Sequence, residues 1–333
     1  MALQDLIQHP LIRQIVTHPA DDNATWRNDL ERFVDGDARL TRRSAGESAI
    51  AAVQRLMVFL GYSTASSGAF LIDGDFGRGT NRGVAQFQLE HGLTRTIERT
   101  DLCYPCAWNT ASRLITAIPD CTLTVATLER MAQVAIERAE SGQVVSGTFE
   151  DAIFHLNALH KRQYLDCRGI LARYGAHAAT ACVELATLTG DDPQPEWVLA
   201  IIRQETAGVI RPRFEQHYLS RLNRQHPDAP IAELRMRSMS IGLGQVMGEN
   251  FRRVGAADAS SLYTAPAGEQ VAFVARFLQR KSDILSRSNP SEADFRAVAR
   301  YYNGPRYEAH RYHERLARWF REFRLLRRDS VAA

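Results

Sequence analysis

Glu205 is the residue whose place in the sequence first suggests chemistry. It closes a segment in which Trp197, Val198, Leu199, Ile201 and Ile202 make nearly every preceding position apolar. The pattern predicts a helix over 195–206, ended near Gly208 and buried on most sides. A carboxylate in the last turn of such a helix faces the negative end of the helix dipole and little water, and both disfavour ionisation. The expected raised pKa is what a general acid needs to hold a proton near neutral pH. An ordinary exposed last-turn glutamate fits the same place, and this segment alone leaves both readings open.

Two other groupings carry chemical types. Cys103-Tyr-Pro-Cys106 has the spacing of a metal or redox pair, but no second pair of matching ligands follows, so a metal site is not expected. A disulfide in an oxidising compartment and free structural thiols both remain open for the five cysteines, which are too few for a disulfide framework in 333 residues. Ser240-Ile-Gly-Leu-Gly-Gln-Val-Met-Gly248 is punctuated by glycines and could line a cleft through close backbone approach.

The elements that must position these groups are helical. Ile50, Val53, Leu56, Met57 and Leu60 form a stripe ended by Gly61, and a turn cluster at Ile72-Asp73-Gly74-Asp75-Phe76-Gly77 leads to a second helix that Thr80 can cap, running through Val84 and Phe87 to Gly92. In the turn, glycines take positive φ and Asp73 can bond nearby backbone amides. Helices are further expected over 123–138, 149–164, 169–188, 271–285, 292–302 and 306–326, while strand signals are sparse and residues 1–43 read as a weakly patterned arm. The fold class expected is mainly α.

The string Leu60-Gly-Tyr62, Asp73-Gly74-x-Phe76-Gly77, Thr80 and Val84-Ala-x-Phe87-Gln88 resembles the peptidoglycan-binding module of wall-active enzymes, a small three-helix unit, over residues 44–100. Phe76, Val84 and Phe87 read as core and Asp73 as a turn-former even within that resemblance, with the wall ligand expected at the exposed edge of the turn. Further on, Glu205-Thr-Ala-Gly, Arg213-Phe-Glu-Gln-His-Tyr218, the 240–248 segment and Tyr302-Asn-Gly-Pro-x-Tyr307 with Tyr312-His313 resemble, in order, the lysozyme-like N-acetylmuramidases of modular phage endolysins. The glutamate helix, the Gly-Leu-x-Gln segment and the Tyr-Asn-Gly turn also echo the lytic transglycosylases.

That resemblance implies a lysozyme-like α domain with minor β content, and an enzyme, either a muramidase or a lytic transglycosylase. It implies Glu205 as the acid that protonates the glycosidic oxygen between N-acetylmuramic acid and N-acetylglucosamine. Ser240 and Gln245 match the floor of the sugar cleft, and Tyr302 and Asn303 match the turn facing the glutamate, where Tyr302 could hydrogen-bond Glu205 and fix its rotamer. Ser240 and Asn303 fit equally well as cap and turn residues. Glu215 is the best candidate for a second carboxylate, and it fits equally as a structural partner of Arg213. The expected partition is an arm at 1–43, a peptidoglycan-binding domain at 44–100, a helical connector at 101–190 and a lysozyme-like domain at 191–333. No cofactor is expected.

Composition bounds the rest. Hydrophobic residues make up 45% and charged ones 24%, enough apolar area for cores, which excludes wholesale disorder, and no apolar run is long enough to span a bilayer. Residues 191–333 carry 23 Lys+Arg against 17 Asp+Glu, and residues 1–190 carry 18 against 21, so the basic excess lies in the C-terminal part, as suits an anionic wall polymer. Only Lys161 and Lys281 are lysines, so no Lys/Arg run tracks phosphates and nucleic acid is not expected. The first residues lack the pattern of a cleaved secretion signal, so synthesis in the cytoplasm and action in the periplasm are expected. The basic terminal helix with Leu316, Trp319, Phe320 and Phe323 on one stripe could touch an anionic membrane surface, but packing on the core is favoured and no stable insertion is expected. A monomer is expected, with a holin pathway or an immunity protein as its biological counterpart, according to whether it is a phage lysis enzyme or an injected effector. The competing reading is a non-catalytic wall-binding component of a virion or secretion apparatus.

Overall fold

The computed structural model describes residues 2–21, 30, 46–96, 117–119 and 123–332. Cys103, Cys106 and Cys121 lie outside the described residues, as does much of the 1–43 arm. The chain is mainly helical and folds as two compact units, each built from two stretches: Met1–Arg162 with Arg211–Ser240, and Gln163–Ile210 with Ile241–Ala333.

In the first unit the expected stripe forms the helix Glu47–Phe59, and the second helix runs Arg78–Glu90. The N-cap of the latter is Gly77 and Thr80 lies in its first turn, so Thr80 does not cap it. Fully buried, the Thr80 hydroxyl instead meets the carbonyls of Thr64 and Asp75 and the Gln54 amide. The weakly patterned start of the chain forms two short helices, Leu3–Gln8 and Pro10–Val16, which bury Leu3, Leu6, Ile12 and Ile15 against the helices Glu47–Phe59 and Val125–Ser141. The stretch 211–240 adds the helices Gln216–Gln225 and Ile231–Arg237, and a strand pair in which Arg213 opposes Ser240 and Phe214 opposes Met239.

Arg55 ties the arm to this unit. Its buried guanidinium donates to the carbonyls of Ile15 at 2.7 Å and Thr17 at 3.0 Å, to Asn157 Oδ1 at 2.7 Å and to His160 Nδ1 at 3.2 Å. A guanidinium only donates, so His160 Nδ1 must keep its lone pair and the ring is neutral. Burial first, and then the Arg55 charge, lower the His160 pKa to about 4. A folded pKa below the unfolded value stabilises the protein above about pH 6.5, and that stabilisation is lost as the pH falls through 4. The chain should therefore be up to about 3 kcal/mol less stable below pH 4 than at pH 7 from this residue. Urea melts of the parent and of His160→Gln across pH 3.5–7 check this, the variant showing the flatter profile.

The second unit is organised around the buried helix Pro195–Glu205, packed between Cys167–Thr189, Ala267–Leu278 and the terminal helix Tyr312–Ala332. Trp197, 0% exposed, has its ring centroid 4.8 Å from those of both Phe295 and Phe320. Leu316, Phe320 and Phe323 are buried, so the terminal apolar stripe is core and not a membrane face, and no helix among the described residues is long and apolar enough to cross a membrane. Cys167 and Cys182 are buried free thiols, both pushed up to about 12 mainly by burial. They are inert packing residues.

Candidate active site

Glu205 ends its helix, as the sequence pattern requires, and is half-buried. The chain leaves the helix through Ala207 and Gly208, both at positive φ (49° and 74°). Three bonds hold that turn: the Leu165 amide donates to the Ala207 carbonyl at 3.0 Å, the Tyr174 hydroxyl to the Gly208 carbonyl at 2.9 Å, and the buried Thr206 hydroxyl to the Leu243 carbonyl at 2.8 Å. The glutamate thus rises from a fixed helix end that is stitched to the glycine-punctuated loop.

The side chain that grips the carboxylate is Tyr312, which donates to Glu205 Oε1 at 2.5 Å. The expectation that Tyr302 bonds Glu205 is corrected: the Tyr302 hydroxyl donates to the Gly244 carbonyl at 2.7 Å. The reason lies in the loop. A Cβ on Gly244 would stand 2.5 Å from Tyr302 Oη, so only glycine lets the loop backbone come close enough to capture that hydroxyl. Tyr302 remains a neighbour of the glutamate. Burial first, and then the Glu205 charge, push both the Tyr302 and the Tyr312 hydroxyl well above the usual phenol range, so both stay protonated donors.

Gln245 lies in the same loop in a left-handed conformation (φ 52°), uncommon for a residue with a side chain. Its amide side chain curls back to the Gly242 carbonyl at 3.1 Å. Such local strain is concentrated at functional sites. Asn303 is exposed at the end of the helix Glu292–Asn303, next to Gly304. The second unit therefore brings Tyr302 and Tyr312 to Glu205, with Gln245 in the loop whose Gly244 carbonyl Tyr302 bonds and Asn303 at the helix end beside Tyr302.

Glu215 and Ser240 belong to the first unit. The Glu215 carboxylate is 3.0 Å from Arg213 Nε and 3.8 Å from His217 Nδ1, so it is an ion-paired group that bridges the start of the Gln216–Gln225 helix to its preceding strand. Ser240 is half-buried in the strand Met239–Ile241 opposite Arg213.

The motif resembling the wall-binding module separates into two sets. Phe87 and Gln88 are buried, Phe87 edge-on to Tyr62 and Gln88 bonded to Thr127 Oγ1 at 3.0 Å; with Thr80 they are structural. Asp73 is exposed, with Gly74, Phe76 and Gly77 intermediate, so Phe76 is not the core residue expected. Asp73 does form the turn, accepting from the Asp75 amide at 3.0 Å.

Sequence reasoning does not single out the residue that holds this turn. Gln54, 0% exposed, accepts from the amides of Asp73 and Gly74, both at 2.9 Å, and donates to Asp73 Oδ1 at 2.8 Å and to the Asp75 carbonyl at 3.0 Å. Its signal in the sequence is the polar pair Gln54-Arg55 set between Val53 and Leu56 of the apolar stripe.

Among the described residues no cluster of three or more His, Cys, Asp or Glu is placed to hold a metal ion. Residues 230–324 match the family model of the N-acetylmuramidases. No curated protein matches the chain. Among solved structures the chain is similar to the Burkholderia AP3 phage endolysin, at 16% identity and a TM-score of 0.34, over 86% of this chain and 98% of that one. The segment 230–324, which carries Gln245, Tyr302 and Tyr312, matches the N-acetylmuramidase model, and this supports a glycosidase of the muramidase, lysozyme-like type.

Proposed function

We propose that the chain hydrolyses the β-1,4 bond between N-acetylmuramic acid and N-acetylglucosamine of peptidoglycan, with Glu205 as general acid. The observation that carries this reading is the Tyr312 hydroxyl on Glu205 Oε1. A phenol that stays protonated donates to that oxygen, so the transferable proton resides on Oε2, and the fixed helix end aims it at the glycosidic oxygen. Residues 44–100 hold the wall through the exposed turn at Asp73–Gly77. The chain acts in the periplasm, in phage lysis or as an injected effector.

Mass spectrometry of the fragments released from purified walls tests the reaction. The expected products end in reducing N-acetylmuramic acid. Products ending in 1,6-anhydro sugars would make it a transglycosylase, and products ending in reducing N-acetylglucosamine would overturn the bond assignment.

Tyr312 is a positioning residue on this reading. Tyr312→Phe removes a donor that stabilises the ionised carboxylate, so the Glu205 pKa rises and the alkaline limb of the pH–rate profile moves up. The rate at the optimum should fall about 10–100-fold as the carboxyl loses its anchor. An unchanged profile and rate would remove the role of Tyr312.

A further inference from the structure

The helix Glu292–Asn303 has two different faces. Phe295 and Val298 are buried on one, and Tyr302, completing the i, i+3, i+7 row, carries its hydroxyl from that side to the Gly244 carbonyl. Arg296, Ala297, Arg300 and Tyr301 lie on the other face, where with Lys281 and Tyr307 they line a cavity of about 450 Å³. That volume falls within the roughly 300–1,000 Å³ of small-molecule sites. The cavity lies wholly in the second unit, and Glu205 does not line it.

Cations from three separate elements converge on Tyr301. Arg253, from the short helix Gly248–Val254, stands 5.0 Å from the Tyr301 ring and donates from Nη2 to its hydroxyl. The Lys281 ammonium, from the turn Gln279–Lys281, is 5.5 Å from the same ring, and Arg300 is exposed one residue before it. Among the described residues the ion pairs of this region join Arg296 to Glu292 and Glu308 and Arg287 to Asp283 and Asp294, and leave out Arg253, Lys281 and Arg300. The two acids at the cavity are spent on Arg296: Nε donates to Glu292 Oε1 at 3.0 Å and Nη1 to Glu308 Oε1 at 2.7 Å, where the Tyr307 hydroxyl donates as well. His313, edge-on to Tyr307, faces Glu314, which is paired with Arg311. Arg253, Lys281, Arg296 and Arg300 against Glu292 and Glu308 leave two positive charges around the cavity, the complement of a dianion.

We propose that this cavity binds a hexose phosphate, its phosphate between Lys281 and Arg300. A phosphate monoester carries nearly two negative charges at neutral pH, which matches the surplus, and a guanidinium presents a fork of donors that fits its oxygens. Arg253 adds its charge from beyond the Tyr301 ring. A phosphate alone fills only part of the cavity, and the wall of Ala297, Tyr301 and Tyr307 leaves space for the sugar. Because this face of the helix lies opposite Tyr302, the site is additional to the glycan-cleaving one and stands whether or not the reading of Glu205 holds.

Isothermal titration calorimetry of the full chain, in a phosphate-free buffer of low ionic strength, tests this with glucose 6-phosphate, glucose, glucuronate and inorganic phosphate. Expected is saturable binding of glucose 6-phosphate, with the other three at least tenfold weaker. Lys281→Gln and Arg300→Gln should each weaken it at least tenfold, while Arg300→Lys keeps most of the affinity. Arg224→Gln, which removes an exposed charge from the first unit, should leave it unchanged. Thermal melts of the variants show that the fold is retained. No saturable binding at millimolar glucose 6-phosphate, equal binding of glucose, glucuronate or inorganic phosphate, or parental affinity in both glutamine variants overturns the proposal. Vesicles containing phosphatidic acid that sediment the chain without competition from glucose 6-phosphate would assign these cations to a lipid surface, and overturn it as well.

Discussion

Replacing Glu205 by glutamine slows the clearing of purified walls by about 1,000-fold or more while leaving the protein as stable as the parent. Glutamine has the same length and shape, and its carbonyl oxygen accepts the Tyr312 hydroxyl just as the carboxylate Oε1 does at 2.5 Å. The rigid helix end, the turn through Ala207 and Gly208 and the packing of Trp197 are untouched. What disappears is the proton, and a positioned general acid contributes about 10²–10⁴-fold. The measurement is the initial rate of turbidity loss, paired with a thermal melt and a wall-sedimentation assay. Retained folding and sedimentation with abolished clearing separates a proton donor from a structural glutamate. A variant that clears walls at the parental rate would refute the assignment, and the acid would have to be sought elsewhere.

The parts of this site that can be read from the sequence are those set by local periodicity. The apolar run Trp197–Ile202, opened by Pro195 and closed near Gly208, reads as a buried helix, and Glu205 falls at its end. The stripes ending at Gly61 and Gly92 follow in the same way. What does not follow are choices between chemically equal partners. Tyr302 and Tyr312 are both phenols in adjacent motifs, and which one reaches Glu205 is decided by how closely the loop at Gly244 approaches Tyr302. Gln54 and Arg55 lie on a helix whose other buried positions are apolar, and their side-chain partners stand 19 to 105 residues away, brought near by tertiary packing, so no local pattern exposes them. The helices Gln216–Gln225 and Ile231–Arg237 escape a periodicity reading because their polar faces dominate the composition and their burial is confined to Leu219, Leu222, Leu234 and a few neighbours.

Arg235 shows how much of the first unit depends on one such distant pair, and Arg235→Met should cost about 3–5 kcal/mol of stability. Its side chain is 4% exposed and that of Glu90 5%. The pair is bidentate, Nε to Oε1 at 2.5 Å and Nη2 to Oε2 at 3.1 Å, while Nη1 donates to the Gly61 carbonyl at 2.7 Å. Tyr62 completes the cluster, its ring 4.3 Å from the guanidinium and its hydroxyl donating to Glu90 Oε2 at 2.7 Å. Removing the arginine leaves Glu90 as a buried charge facing a buried phenol, and the desolvation cost of that orphan exceeds what the guanidinium's own hydrogen bonds contribute. Arg235→Lys keeps the charge but not the fork, and should recover only part of the stability. The double variant Arg235→Met/Glu90→Leu removes both charges, and it should be more stable than Arg235→Met alone, since apolar replacement of a whole buried pair is often nearly neutral. Urea denaturation of the parent and the three variants measures the coupling. A cost below about 1 kcal/mol in Arg235→Met, or a double variant no better than the single, would show that the guanidinium acts by packing on Tyr62 and not by neutralising Glu90. The same melts bear on Glu215, because the stretch 211–240 that carries it is fastened to the Arg78–Glu90 helix through Arg235. Loosening that fastening should raise hydrogen exchange first in the helices Gln216–Gln225 and Ile231–Arg237, and leave the Pro195–Glu205 helix of the other unit protected.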